Sequence, residues 1–263
     1  MGRFSNLEGP TATPQPAAPQ DSSAVAGPAA RDERSCLRDA DLAWRRGQSE
    51  VALRLYSRAL EFDPNLPIAW AGQARMLLEL GELNEAKLWS SKGLELFREH
   101  PDLLAARALA ALRLGEREDA QGFSDAAIGT RQPGAFPWLA RAEVLMGLGL
   151  GGEDHCLRKA GERAGGDAWM RVLAARACLI HGRDAAALDW AQQAAAAEPR
   201  LACAWLTIAL ANERLGLVDQ ALAALHQTRS LDRDVPGLNA ALTRLNNPGF
   251  KGRMRDFLRR IFR

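Results

Sequence analysis

The sequence of 263 residues is poor in the features that mark several large protein classes. Its four cysteines stand at positions 36, 156, 178 and 203 without a C-x-x-C pair, which argues against a disulfide framework or a zinc site and fits a reducing compartment. No uncharged apolar run approaches the ~18 residues of a membrane span. Runs of β-branched residues, which favour strands, are nearly absent. We therefore expect a helical, cytoplasmic chain.

What the sequence does contain is one period. A glycine recurs at steps of 33 or 34 residues, and the residue seven positions before it is always alanine. An alanine also stands five positions after it in every unit but the fourth, which has Asp154. The six glycines are Gly47, Gly81, Gly115, Gly149, Gly182 and Gly216. Such a period predicts stacked helical hairpins, in which the glycine ends the first helix and the alanines let two helices approach closely.

The first unit carries the clearest family signature. Gly47, Ala52, Tyr56, Ala59 and Pro64 stand in the order found in tetratricopeptide repeats, and the chain resembles that family from about residue 33 to 235. The later units depart from it where Tyr56 is replaced by serine, alanine or leucine. The resemblance implies an all-α, right-handed superhelical solenoid of about six hairpins, with a concave groove that binds peptides or protein surfaces.

The composition divides the chain into three parts. Residues 1–32 are rich in proline, alanine, serine and glutamine, and we expect a disordered leader. Residues 33–246 hold the solenoid, which ends in a short capping helix from Pro236 to about Leu245. Residues 247–263 form a basic amphipathic segment.

The resemblance places the first helix of each unit on the concave side. The clamp that some family members use for carboxylates is not expected, because its lysine and asparagine positions hold Leu37, Asp41 and Gly72. The mixture of arginine and tryptophan there favours binding hot spots; the alternative is that the arginines are solvated and Trp44 covers the first hairpin. The candidate groove residues are Arg38, Trp44, Arg45, Arg75, Leu109, Arg113, Trp169, Arg176 and Arg214.

The fourth unit contains the glycine-rich string "GLGLGGEDHC". A phosphate-binding loop would need a strand before it, whereas the preceding segment is a helix in register with the repeats, so a loosened hairpin is the better interpretation. His155 and Cys156 are adjacent and diverge on a helix, and we expect all four histidines to be exposed rather than to bind metal. No spacing suggests catalytic residues, a metal site or a cofactor, so the sequence predicts a protein that is not an enzyme.

The C-terminal stretch "FKGRMRDFLRRIFR" predicts an amphipathic helix. From residue 249 it carries six basic side chains and one acid, a net charge of +5 against +2 for the whole chain, so the rest is at −3. The segment can contact an anionic membrane or partner, dock on the solenoid, or fray. Its candidate contact residues are Phe250, Met254, Phe257, Leu258, Arg259, Arg260, Ile261 and Phe262.

These features leave three functional hypotheses. The first is a scaffold that binds a protein or peptide in its groove; the second is a peripheral membrane adaptor that recruits partners through the C-terminal segment. The third is a regulatory subunit of an enzyme on another chain. Nucleic acid is not an expected partner, since the net positive charge is confined to the tail and the rest of the chain is slightly acidic. Nothing in the pattern predicts an oligomeric state.

Overall fold

The computed structural model describes residues 32–246, and their regular structure is entirely helical. None of the helices between these limits combines the length and apolarity that a bilayer crossing needs. The helices are α1 (Glu33–Arg45), α2 (Ser49–Phe62), α3 (Pro67–Leu80), α4 (Leu83–Leu96), α5 (Pro101–Leu114), α6 (Arg117–Gly129), α7 (Ala135–Leu148), α8 (Glu153–Ala164), α9 (Ala168–Ile180), α10 (Asp184–Ala197), α11 (Ala202–Arg214), α12 (Val218–Leu231) and α13 (Leu238–Asn246).

The first twelve helices pair in chain order into six hairpins, and α13 packs on the last of them. The predicted six hairpins and capping helix are therefore confirmed. The cap begins at Leu238, two residues later than the expected Pro236. It buries Leu238, Ala241 and Leu245 against the sixth hairpin, as its apolar stripe predicts.

Each hairpin turns in the same way. All six turn glycines have φ between 68° and 82°, a conformation that side chains other than glycine rarely adopt. The residue after each glycine donates its backbone N–H to the carbonyl five residues earlier, as Gln48 does to Ala43 and Glu116 to Ala111. The N···O distances of these bonds are 2.9–3.1 Å, and each bond satisfies a carbonyl at the end of the first helix.

The repeated alanines lie where the two helices of a hairpin cross. Ala40 and Ala52 are fully buried, and so are the equivalent alanines of the other units, apart from 1% exposure at Ala209. A larger side chain at these positions would hold the helices apart, so the period of the alanines sets the geometry of every hairpin.

The fourth hairpin has a longer turn than the others, and a cysteine in place of the alanine that follows the turn. Four residues separate α7 from α8, against two between α5 and α6, and both added residues, Gly151 and Gly152, have positive φ. Cys156 is the fourth residue of α8, just as Ala52 is the fourth residue of α2, so the two positions are equivalent. The Cys156 side chain is buried, with 5% exposure. The apparent exception at Asp154 is a two-residue insertion, and α8 forms a regular helix.

The chain of hairpins curls until its first member meets the fifth and sixth. We call this contact the seam: Trp44, Arg45 and Gly47 of the first hairpin lie against Asp167 and Trp169 of the fifth, with Cys203 and Pro236 beside them. The Trp44 and Trp169 rings pack edge to face with centroids 5.6 Å apart.

A bidentate ion pair reinforces the seam. The two Nη atoms of Arg45 donate to both carboxylate oxygens of Asp167 at 2.9 and 2.8 Å, and Arg45 Nε donates to Asp41. Asp167 also caps α9, because Oδ1 accepts the backbone N–H of Trp169 at 2.9 Å.

The stabilisation that the Arg45–Asp167 ion pair contributes changes with pH only in the acidic range. Partial burial alone would raise the pKa of Asp167, but the hydrogen bonds from Arg45 and from backbone N–H groups outweigh it and leave the pKa below its usual 3.8. A carboxylate with a depressed pKa contributes its stabilisation above the unfolded value of about 4, and loses it as the pH falls through the folded value. The seam is therefore fully charged at neutral pH.

A substitution at Gly72, which lies inside α3, can test how the first two hairpins pack together. A Cβ at Gly72 would lie 2.5 Å from the ring of Tyr56, which is 2% exposed. We expect Gly72→Ala to lower the free energy of unfolding, because ~1–3 kcal/mol of overpacking outweighs the gain of up to ~1 kcal/mol in helix propensity. Urea denaturation measures the change.

Gly122→Ala is the matched control. Gly122 lies within α6, is exposed, and has open space where a Cβ would stand. We expect it to raise the free energy of unfolding by up to ~1 kcal/mol. Two variants that change stability in the same direction would show that Tyr56 does not pack on α3 as described.

The seam can be tested by cross-linking. A Cβ at position 47 would lie 3.9 Å from Cys203 Sγ, so we expect Gly47→Cys to form a disulfide with the native Cys203 under mild oxidation. Mass spectrometry of the unreduced monomer detects it. Gly81→Cys is the control, because Gly81 has the same turn conformation but no atom within 4 Å of its Cβ position. Failure of the first cross-link, or equal yield from both variants, would mean that the seam is open in solution.

Candidate functional site

The curl encloses a cavity of about 230 Å³ at the middle of the molecule, which we call the central cavity. The first helices of the first five hairpins contribute its walls. Its lining residues are Trp44, Arg75, Leu78, Glu79, Leu109, Arg113, Phe136, Leu139, Glu143, Leu173, Arg176, Ala177 and Ile180.

The polar residues of this wall come from two fixed positions in each repeat, which we call registers. Side chains six and two positions before each turn glycine are separated by one helical turn and share a face. The earlier register holds Asp41, Arg75, Leu109, Glu143, Arg176 and Leu210; the later one holds Arg45, Glu79, Arg113, Gly147, Ile180 and Arg214.

Two of the three arginines in the cavity are paired with its glutamates. Arg113 Nη2 donates to Glu143 Oε1 at 3.0 Å, and its Nη1 donates to the Leu78 carbonyl at the same distance. Arg176 Nη2 donates to Glu79 Oε2 at 2.6 Å, which links α9 to α3 across the molecule. Glu143 is only 5% exposed, so its charge requires this partner.

Arg75 is held differently. Its guanidinium carbon lies 4.4 Å from the centroid of the Trp44 ring and 5.1 Å from that of Phe136, so the cation is stabilised by two aromatic rings. Its Nε is buried without a hydrogen-bond partner. Within residues 32–246, no carboxylate lies within ion-pairing distance of it.

A second, larger space of about 620 Å³ lies beside the seam, and we call it the seam cavity. The turn of the first hairpin forms one side, and Trp169, Cys203 and Leu206 lie on the other. Glu79 and Arg176 line both cavities, so their ion pair stands in the wall between them.

The structure brings most of the candidate groove residues together. Trp44, Arg75, Leu109, Arg113 and Arg176 line the central cavity, and Trp169 lines the seam cavity. The others lie apart from these. Arg45 belongs to the seam, Arg38 is exposed, and Arg214 Nε pairs with Asp184 at 2.8 Å. The arginines at the cavity and the seam are thus held by partners or aromatic rings.

Sequence reasoning missed the two glutamates and one aromatic residue, Phe136, of the central cavity. Glu79 and Glu143 occupy the same registers as the arginines that were selected, so the repeat itself could have identified them. Phe136 and Trp169 share a further register, thirteen residues before their turn glycines. The selection favoured arginine and tryptophan, so it included Trp169 but passed over Phe136, Glu79 and Glu143.

The histidines and cysteines form no metal site within the described part of the chain. His155 and His226 are exposed as expected, but His100 and His181 are half-buried. Burial, opposed by Asp102 and reinforced by Arg75, lowers the pKa of His100. Burial also raises the pKa of Cys178 and of Cys203 to about 11, which keeps both thiols protonated at neutral pH.

The candidate contact residues of the C-terminal segment, from Phe250 to Phe262, lie outside the described residues.

Comparisons with known proteins give matches at the level of structure. No protein-family model and no curated protein sequence matches the chain. A tetratricopeptide repeat protein from Parabacteroides merdae matches with a TM-score of 0.53 at 18% identity, over 82% of this chain and 84% of that one.

Two further solved structures match the chain at a lower score. A thermophilic TPR protein from Thermus thermophilus matches with a TM-score of 0.49 at 20% identity, over 80% of this chain and 99% of that one. The Cut9-Hcn1 hetero-tetramer of the APC/C matches with a TM-score of 0.49 at 15% identity. This match covers 82% of the present chain, which spans only 43% of the length of its counterpart. The six glycine-turned hairpins and the Parabacteroides merdae match together show that the chain has the tetratricopeptide repeat fold.

Proposed function

We propose that this protein is a non-catalytic scaffold that binds a peptide segment or surface of another protein through its central cavity. The observation that carries the proposal is the convergence of five candidate groove residues, from four different helices, on one cavity. Arginine and tryptophan dominate the energetics of many protein interfaces when they stand in well-packed pockets.

The size of the cavity favours an anchoring side chain over a whole small molecule. Pockets for small molecules usually measure ~300–1,000 Å³, and this one measures about 230 Å³. Trp44 and Phe136 form rigid walls, and Ile180, which is 61% exposed, marks the open side. A partner segment would insert one residue and lie across the surface around Ile180.

The chemistry of the described residues supports binding rather than catalysis. The two glutamates of the cavity are neutralised by arginines, so neither is poised as a general base. The two thiols with a pKa of about 11 are poor nucleophiles at neutral pH.

Blocking the open side tests this proposal. We would select binders from a random peptide display library on the immobilised full chain, and then measure them against Ile180→Trp. We expect binding to weaken about tenfold or more, because an indole at the mouth prevents burial of the anchor.

Leu88→Trp is the matched control. Leu88 lies on α4, is 51% exposed, and lines neither cavity, so we expect the selected peptides to bind this variant as they bind the wild-type chain. A library that yields no binders, or binders insensitive to both tryptophans, would contradict the proposal.

The second candidate function is that of a peripheral membrane adaptor. It rests on the amphipathic pattern of residues 250–263 and their concentration of arginine. We expect the full chain to bind anionic vesicles more strongly than neutral ones, and less at high salt, since each basic residue adds ~1 kcal/mol near an anionic surface.

Two variants separate the contributions of charge and apolar surface. Deletion from Phe250 onward should abolish vesicle binding without changing the melting temperature. The double change Phe257→Ser and Ile261→Ser should nearly abolish it while the charge is unchanged. A deletion that lowers the melting temperature, together with absent vesicle binding, would show instead that the segment docks on the solenoid.

A further inference from the structure

The charges of the central cavity do not balance. Three arginines and two glutamates line it. Each glutamate forms an ion pair, Glu143 with Arg113 at 3.0 Å and Glu79 with Arg176 at 2.6 Å. Arg75 therefore contributes one positive charge that no carboxylate of residues 32–246 neutralises at contact distance. An uncompensated cation beside apolar walls attracts an anion more strongly than a cation in open water does.

The surroundings of Arg75 leave its hydrogen-bonding capacity incompletely used. The rings of Trp44 and Phe136 both lie against the guanidinium, with their centroids 4.4 and 5.1 Å from its central carbon. Its Nε–H has no acceptor, and an unsatisfied donor on a cation is costly in a buried setting. The aromatic faces also fix the orientation of the fork, so little conformational entropy is lost when it binds an acceptor.

The neighbouring titratable groups do not neutralise the charge of Arg75, although Tyr56 interacts with it through a side-chain hydrogen bond. Tyr56 and His100 both sense the charge of Arg75; burial raises the pKa of Tyr56, and burial together with Arg75 lowers that of His100. Both are therefore neutral at pH 7. Asp41, on the same side, is bound to Arg45 Nε at 2.8 Å.

We infer that the central cavity selects partner segments whose anchor is an acidic side chain, and that Arg75 is the residue that recognises its carboxylate. A single positive charge matches the single negative charge of aspartate or glutamate. The guanidinium fork pairs with a carboxylate in bidentate geometry, and the cavity volume suits one side chain. This inference rests on the proposed function and adds to it the chemistry of the partner.

The test uses pools of short, C-terminally amidated peptides with the same set of random flanks, free of Asp and Glu, and a central Glu, Gln or Lys. Amidation ensures that the only carboxylate under comparison belongs to the central side chain. Retention of each pool is measured on the immobilised full chain at low salt. We expect the Glu pool to be retained about tenfold better than the Gln pool, a factor that corresponds to about 1.4 kcal/mol, and the Lys pool to be retained least.

Variants of Arg75 assign the preference. Arg75→Met keeps an unbranched side chain between Trp44 and Phe136 but removes the charge, so the Glu and Gln pools should be retained equally. Arg75→Lys keeps the charge without the fork and should retain a reduced preference for Glu. Arg38→Met is the control, because Arg38 is exposed and lines neither cavity, and the preference should be unchanged.

The outcomes distinguish this inference from the proposed function. If the wild-type chain retains the three pools equally, and Ile180→Trp reduces all of them, the cavity binds peptides without recognising acid and the inference is wrong. A Glu preference that survives both Arg75 variants would also overturn it. If Ile180→Trp leaves retention of every pool unchanged, the proposed function itself fails. Should Arg75→Met unfold, the Arg75→Lys and Arg38→Met results decide the matter.

Discussion

The close approach of two helices at a pair of buried alanines is the constraint on which the rest of this structure depends. Ala40 and Ala52 show it in the first hairpin, and every later hairpin repeats it, with Cys156 in the alanine's place in the fourth. Because neighbouring repeats pack alike, small rotations between them add along the chain. They bring the first hairpin back against the fifth within the described residues, where Arg45 meets Asp167.

Closure of the solenoid turns its concave surface into the wall of the central cavity. The burial of that surface determines how its charged side chains must be stabilised. Charges that would be solvated in an open groove need partners in a closed one, and Arg113–Glu143 and Arg176–Glu79 supply them. Arg75 is the exception, since it is stabilised by aromatic faces rather than by a carboxylate. We propose that binding, not stability, explains this residue, because its charge is the one in the central cavity that no carboxylate of the described residues pairs with.

The sequence predicted the hairpins well because their determinants are local. A glycine that must adopt positive φ and an alanine that must be small recur at a fixed period, and each acts within one repeat. The seam could not be predicted in this way, since Arg45 and Asp167 are 122 residues apart and belong to no shared motif. The site was predicted in part: its arginines were selected by residue type, whereas Glu79 and Glu143 required attention to register.

The central claim is that the first hairpin closes on the fifth through the Arg45–Asp167 ion pair. A double-mutant cycle of Arg45→Met and Asp167→Asn, followed by urea denaturation at neutral pH, tests it most directly, because asparagine keeps the oxygen that caps α9 and removes the charge and the second acceptor for Arg45. With both side chains about one-third exposed or less, we expect a coupling free energy of ~1 kcal/mol that decreases at high salt. Additive effects of the two changes, with no coupling at low salt, would contradict the closed structure.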